Sequence, residues 1–161
     1  EFRVKLTPGD EQDQGGLWPA VWSSGFGGGG WPASGELDFL EVMTAVNPRR
    51  SVYSMHYANP DGSHGMTNRP VVGSGNFSAA WHTVRFEYGH GGRLAWYLDG
   101  HLVQLVTTAT TRQGYPAPSN LPIRELKVNL ALGGRPGPLA HGALAPNGAT
   151  FEVEYLRIVS R

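Results

Sequence analysis

The 161-residue chain contains no cysteine, so neither a disulfide framework nor a thiolate metal site can form. Net charge is also missing, because 13 basic and 13 acidic residues cancel, and this balance argues against a nucleic-acid-binding protein. No apolar run approaches the length of a membrane span, and no basic amphipathic helix is present, so we expect no membrane partner.

Helical periodicity is absent as well, and the chain instead shows short alternating segments separated by turns. Its 23 glycines and 12 prolines suit many tight turns. Asp99-Gly100, between two apolar runs, predicts a two-residue hairpin, whereas Pro19 argues against a central ladder position in its segment. We therefore expect a single all-β domain over residues 1–161, an antiparallel sandwich or barrel. The strand-like segments are 1–6, 17–22, 36–42, 51–58, 80–88, 93–98, 101–106, 124–132 and 149–159.

The stretch "SGELDFLEV" places three carboxylates within one strand-like segment. Strand alternation puts Glu36 and Asp38 on one face but turns Glu41 to the other. Large apolar neighbours, among them Phe39 and Leu40, indicate that the opposite face lies in a core. A β-bulge at Phe39-Leu40 would restore the parity and turn Glu41 back toward Glu36.

Three carboxylates on one face repel each other, and close like charges separate their pKa values. Cleavage of a glycosidic bond with retention needs such a division, with one ionised carboxylate as nucleophile and one protonated as general acid. Spacing alone favours a solvated strand face instead. The apolar neighbours favour the reading that Glu36, Asp38 and Glu41 line a cleft.

These residues carry a resemblance to a known family. The segment "WPASGELDFLEV", preceded by "GLWPAVW", resembles the active-site strand of glycoside hydrolase family 16, in its laminarinase-like branch. The resemblance continues through "SVYSMHY", "WHTVRFEYGHGGRLAWYLDGHLV", "VNLALGG" and "FEVEYLRI", and so covers nearly the whole chain. It implies a concanavalin-like jelly roll and a retaining endo-β-glucanase, secreted, that acts on β-1,3-linked or mixed-linkage glucan.

By the same resemblance, Glu36 is expected to be the nucleophile, Glu41 the acid/base, and Asp38 the residue that tunes the nucleophile. The implied chemistry needs no cofactor. Some family members hold a structural calcium, but Glu154 stands where they usually have Asp, and we assign no metal site.

Four further residues are candidates for binding a polysaccharide substrate. Trp31, beside the glycine-rich loop, is the expected platform for stacking a sugar ring. Trp22 is a second candidate, although it and Trp18 could equally lie in the core. His56 is expected near the acids, and Asn129 either reaches the cleft or is a buried, hydrogen-bonded residue.

The chain also departs from the family pattern. Several strands that usually precede the segment resembling "EFRVKL" have no counterpart, so sheet edges and apolar faces are expected to be open, or covered by strands from another segment or chain. Two rival functions remain at this point: a non-catalytic glycan-binding module, and a hydrolase of agarose or carrageenan. For the latter, three arginines could bind sulfates: Arg49, Arg50 and Arg69.

Overall fold

The computed structural model describes residues 1–6, 15–25, 29–43, 49–72, 77, 80–107, 125–134 and 148–160. This part of the chain forms ten β-strands and one turn of 3₁₀ helix at His90–Gly92. The strands are β1 (Phe2–Leu6), β2 (Leu17–Ser24), β3 (Glu36–Val42), β4 (Arg50–Ala58), β5 (His64–Val72), β6 (His82–Gly89), β7 (Arg93–Leu98), β8 (His101–Val106), β9 (Glu125–Leu132) and β10 (Phe151–Leu156).

The strands make two antiparallel sheets of five. The first has the order β10-β1-β6-β7-β8, and the second has the order β5-β4-β3-β2-β9. Their inner faces share one apolar core, in which Trp96, Tyr53 and Phe77 are among the largest fully buried side chains. The predicted all-β sandwich is confirmed. Among the described residues, no helix has the length and apolar character needed to cross a membrane.

The predicted two-residue hairpin is also confirmed, within a meander of three strands. β6, β7 and β8 pair in sequence, and Asp99 and Gly100 form the two-residue turn with positive φ values of 49° and 82°. The Asp99 carboxylate accepts the backbone N–H of Thr83 at 2.9 Å and lies 2.7 Å from Nδ1 of His82. His82 therefore supports this hairpin. It lies in the first sheet, whereas Glu36, Asp38 and Glu41 lie in the second.

Two strands differ from the sequence-based expectation. β5 follows no clear alternation and was not predicted; it forms as an edge strand along β4, a position that tolerates Pro70. β2 runs through Pro19 as the strand between β3 and β9, so the expectation that Pro19 lies outside a central strand is wrong. Its pairing with β3 begins one residue later, at Ala20, so at Pro19 the ladder has only β9 as its partner.

The acidic strand β3 carries one residue more than its neighbours. The four residues from Asp38 to Glu41 lie opposite only three residues of β4. The register with β2 shifts at the same place and leaves Phe39 without a partner. Phe39 and Leu40 are both buried in the core. The predicted bulge is confirmed at the predicted position.

On the edge strands β9 and β10, apolar residues on the face turned toward the core remain exposed to solvent. Val128 pairs with the core residue Val21, and Val153 pairs with the core residue Val4, so each shares a face with a buried partner. Val128 is nevertheless 44% exposed and Val153 38% exposed. Neighbouring exposed residues on these strands are Leu126, Leu132 and Leu156.

Candidate active site

The bulge in β3 brings the three acids to the outer face of the second sheet. Nε2 of His56 lies 3.0 Å from Oδ2 of Asp38 and 3.7 Å from Oε1 of Glu36. On the other side, the indole N–H of Trp18 donates to Oε1 of Glu41 at 2.9 Å. The acid row is thus flanked by side chains from β4 and from β2, the two strands that pair with β3.

A contact across the core supports the distorted strand. The indole N–H of Trp96, in β7 of the opposite sheet, donates to the backbone carbonyl of Asp38 at 2.9 Å. The bulge begins at this residue, where ladder pairing is interrupted. A buried carbonyl without a partner would be costly, so Trp96 stabilises the local geometry that turns Glu41 toward the other acids.

Burial and mutual repulsion change the proton affinity of both glutamates. Burial, and next the charge of Asp38, raise the pKa of Glu41 to about 7, although the hydrogen bond from Trp18 opposes the shift. The same two causes raise the pKa of Glu36, which the charge of His56 and a hydrogen bond from Trp31 oppose. Near neutral pH, Glu41 can therefore hold a proton that it could donate.

His56 connects the acids to a second histidine. Burial lowers the pKa of His56, but the hydrogen bond to Asp38 and the charges of all three acids outweigh burial and raise it. Its Nδ1 lies 2.8 Å from Nε2 of His64, and the two rings stack with centroids 5.0 Å apart. The ring centroids of Trp31 and His64 lie 4.6 Å apart. Trp31 is 55% exposed, so its ring offers an open apolar face beside the acids.

The other two sequence-predicted candidates meet at the β9 side of the same face. The indole N–H of Trp22 donates to Oδ1 of Asn129 at 2.7 Å, and both side chains are accessible to solvent. Nζ of Lys127 lies 4.3 Å from the Trp22 ring centroid and hydrogen-bonds Oγ of Ser24. Asn129 is therefore a surface residue, and the alternative of a buried asparagine is wrong.

One group of side chains has the compactness of a metal site. Ligand atoms of Glu36, Asp38 and His56 lie within 4.8 Å of one another. The facing atoms of His56 and Asp38 are already hydrogen-bonded to each other, so the arrangement is that of a proton-sharing network and we assign no ion to it. Glu154, the position considered for calcium, pairs with Arg3 at 2.5 Å.

Comparison with known proteins agrees with this geometry. The family model described as glycosyl hydrolases family 16 matches residues 1–143. The chain belongs to family 16. The identification made from the acidic strand and the downstream segments is therefore confirmed.

Among family 16 relatives, a glucan endo-1,3-beta-glucosidase A1 from Niallia circulans is 30% identical over 179 residues, covering 98% of this chain and 23% of that protein. A glucan endo-1,3-beta-glucosidase from Cryptopygus antarcticus is 30% identical over 181 residues, covering 98% of this chain and 60% of that protein. The chain thus spans less than two thirds of either relative.

A solved structure shows the same fold. The laminarinase catalytic domain from Thermotoga maritima superposes with a TM-score of 0.68 at 24% identity, covering 94% of this chain and 59% of that domain. The two-sheet sandwich of this family 16 chain therefore has the same fold as that domain.

Sequence reasoning missed two residues of this site. Trp18 was left between core and cleft, although its even spacing from Trp22 on β2 places both on one face. His64 was assigned no role because its surroundings read as a turn, and only the pairing of β5 with β4 brings it beside His56.

Of the arginines considered for sulfate binding, Arg50 is the first residue of β4, and its buried Nε has no partner among the described atoms. The side chain of Arg69 lies outside the described residues.

Proposed function

We propose that this family 16 chain hydrolyses β-1,3-linked glucan internally, with retention of configuration. The observation that carries the proposal is the bulge that gathers Glu36, Asp38 and Glu41 on one face, together with a pKa near 7 for Glu41. An acid that is protonated near neutral pH, beside a carboxylate that can attack, is the pair that double displacement needs.

In the first step, the carboxylate of Glu36 attacks the anomeric carbon while Glu41 gives its proton to the departing glycosidic oxygen. In the second step, Glu41 removes a proton from water, and the water oxygen releases the sugar from Glu36. Asp38 lies between the two in sequence and hydrogen-bonds His56, so its proposed role is to orient the nucleophile. The reaction consumes one water and needs no cofactor.

The substrate assignment rests on the relatives and on the shape of the site. Two relatives named as endo-1,3-beta-glucosidases match nearly the whole chain. The exposed ring of Trp31 and the half-buried ring of Trp22 lie on the face that holds the acids. Both suit stacking against sugar rings. A polymeric substrate also favours secretion, which we propose on that ground.

The test compares reducing-end release from laminarin by the wild-type chain and three single variants. We expect Glu36→Gln to reduce release to background and Glu41→Gln to lower kcat by about 10²–10⁴-fold. Glu152→Gln is the matched control, because Glu152 is exposed on β10 in the other sheet. Products followed by NMR should first appear as the β-anomer.

Other outcomes would replace the proposal. Laminarin binding without any release above the Glu36→Gln background would identify a glycan-binding module. Release from agarose or carrageenan but not from laminarin would identify a galactan hydrolase. Release from lichenan as well as laminarin would extend the substrate class to mixed-linkage glucan.

A further inference from the structure

His64 enters the site from a strand that carries none of the three acids. A tight turn precedes it, in which Asp61 accepts hydrogen bonds from the backbone N–H and the hydroxyl of Ser63. His64 then pairs with Ala58, so His56, two residues earlier on β4, is its diagonal neighbour on the same face. Because β5 begins at His64 directly after the turn, it is the side chain of His64 that lies beside His56.

The close approach of the two strands depends on the residue after His64. A Cβ atom added at Gly65 would overlap the ring of Tyr57, so a larger residue would displace that ring or move β5 away from β4. With glycine there, the rings of His56 and His64 stack at 14° and their nitrogens approach to 2.8 Å.

The hydrogen-bonding capacities of the three groups restrict their proton arrangements. An ionised Asp38 can only accept, so Nε2 of His56 must carry the hydrogen that it shares with Asp38. A neutral His56 then has a bare Nδ1, which needs a donor, while a charged His56 has an Nδ1–H, which needs an acceptor. Nε2 of His64 can supply either, depending on its tautomer.

We propose that His64 is a positioning residue of the proposed reaction, which fixes the ring orientation and tautomer of His56 so that Nε2 of His56 always donates to Asp38. This inference rests on the proposed function, because Asp38 matters only if Glu36 is the nucleophile that it orients. His64 acts through His56 and touches none of the reacting atoms.

The charged groups around the histidine pair determine whether replacement of His64 raises or lowers the pKa values of the two glutamates. The charges of Glu36, Asp38 and Glu41 act on His56 from β3, and Lys127, on β9, acts on Glu36. A proton on His56 favours ionisation of both glutamates. Loss of the acceptor at His64 disfavours that proton, so the glutamates should ionise at higher pH when His64 is replaced.

The first measurement is independent of activity. Long-range ¹H–¹⁵N NMR spectra of the imidazole rings report tautomer and titration for His56 in the wild-type chain, in His64→Phe and in His64→Gln. We expect His64→Phe to lower the titration midpoint of His56 by about 0.5 pH unit or more and to mix its tautomers. His64→Gln, whose amide can donate or accept, should restore a single tautomer.

The second measurement is the pH profile of laminarin hydrolysis. We expect His64→Phe to lower kcat about ten-fold, with KM within about two-fold of wild type, because orientation and not binding is lost. Both limbs of the profile should move to higher pH. His64→Gln should recover most of kcat. His101→Phe, at an exposed histidine that opens β8 in the other sheet, should change neither measurement.

The two measurements separate the inference from the function on which it rests. An unchanged tautomer and midpoint of His56 in His64→Phe would overturn the positioning role, whatever the activity. Equal losses of kcat in His64→Phe and His64→Gln, with unshifted limbs, would overturn it as well and leave only a packing role. A wild-type chain that releases no sugar would overturn the proposed function, while the NMR result still decides the link between the histidines.

Discussion

Glu41 illustrates how a single side chain depends on its surroundings. It is 8% exposed, and burial together with the negative charge of Asp38 raises its pKa to about 7. The indole N–H of Trp18 acts in the opposite direction, because a hydrogen bond to a carboxylate stabilises the ionised form. Trp18 therefore lowers the pH above which the proposed general acid loses its proton.

Replacement of Trp18 tests this dependence. For the wild-type chain we expect kcat/KM on laminarin to fall as pH rises through about 7, where Glu41 ionises. In Trp18→Phe the stabilising hydrogen bond is lost, the pKa of Glu41 rises, and this alkaline limb should move to higher pH by about 0.5 unit or more. Trp81→Phe, at the residue just before β6 of the other sheet, is the control and should leave the limb in place. A limb unmoved in Trp18→Phe would contradict the role of Trp18.

At the scale of elements, the site depends on one irregular strand and on a support from the opposite sheet. β3 gains a residue at Phe39, and this turns Glu41 to the face that holds Glu36. Trp96 is fully buried in β7 and supplies the hydrogen bond to the Asp38 carbonyl. Core packing and site geometry are therefore coupled through a single indole ring.

Trp96→Phe tests whether the indole N–H supports the site geometry in addition to the stability of the fold. The variant leaves the Asp38 carbonyl unpaired, which costs about 1–3 kcal/mol in unfolding free energy, and removes part of the packing volume. Because the bulge loses its support, we also expect kcat to fall by about ten-fold or more at temperatures where the chain is fully folded.

The control for this experiment is Leu94→Val, also fully buried in β7, which should lower the free energy of unfolding by about 1 kcal/mol without changing kcat. Denaturant unfolding and laminarin kinetics measure the two effects. A normal kcat in folded Trp96→Phe would show that the bulge holds its geometry without the indole N–H.

At the scale of the whole molecule, the core formed by the described residues is open at one side. Both sheets end there in a strand, β9 or β10, whose inward-facing apolar residues remain exposed. Exposed apolar edges are surfaces on which further strands pair or other chains associate. Coverage of this side by strands of another segment or chain stays a prediction from the sequence.

The open side predicts self-association of the 161-residue chain. Light scattering after size exclusion should give a mass above 17.4 kDa. The double variant Val128→Lys, Val153→Lys should return the mass to that of one chain, because charge at an edge opposes pairing. Leu102→Lys, at an exposed residue on the opposite edge strand β8, should behave as wild type. A wild-type chain that is monomeric at all concentrations would contradict this expectation.

Local patterns in the sequence determined much of this protein. Alternating or apolar segments located nine of the ten described strands, although Pro19 argued against a central position for β2. Asp99-Gly100 predicted a hairpin, and the mismatched parity of Glu41 predicted the bulge. These features were readable because strand period and turn conformation depend on neighbouring residues. The catalytic roles of Glu36, Asp38 and Glu41 remain proposals.

Only the tertiary structure decided which strands lie side by side, and with that the partners of each group. β5 exists because β4 offers it a ladder, and Pro19 is tolerated because β3 is not paired there. The contacts of Trp18 with Glu41 and of His64 with His56 join residues on different strands. Burial raises the pKa of Glu41, and burial is a property of the packed molecule that no local pattern encodes.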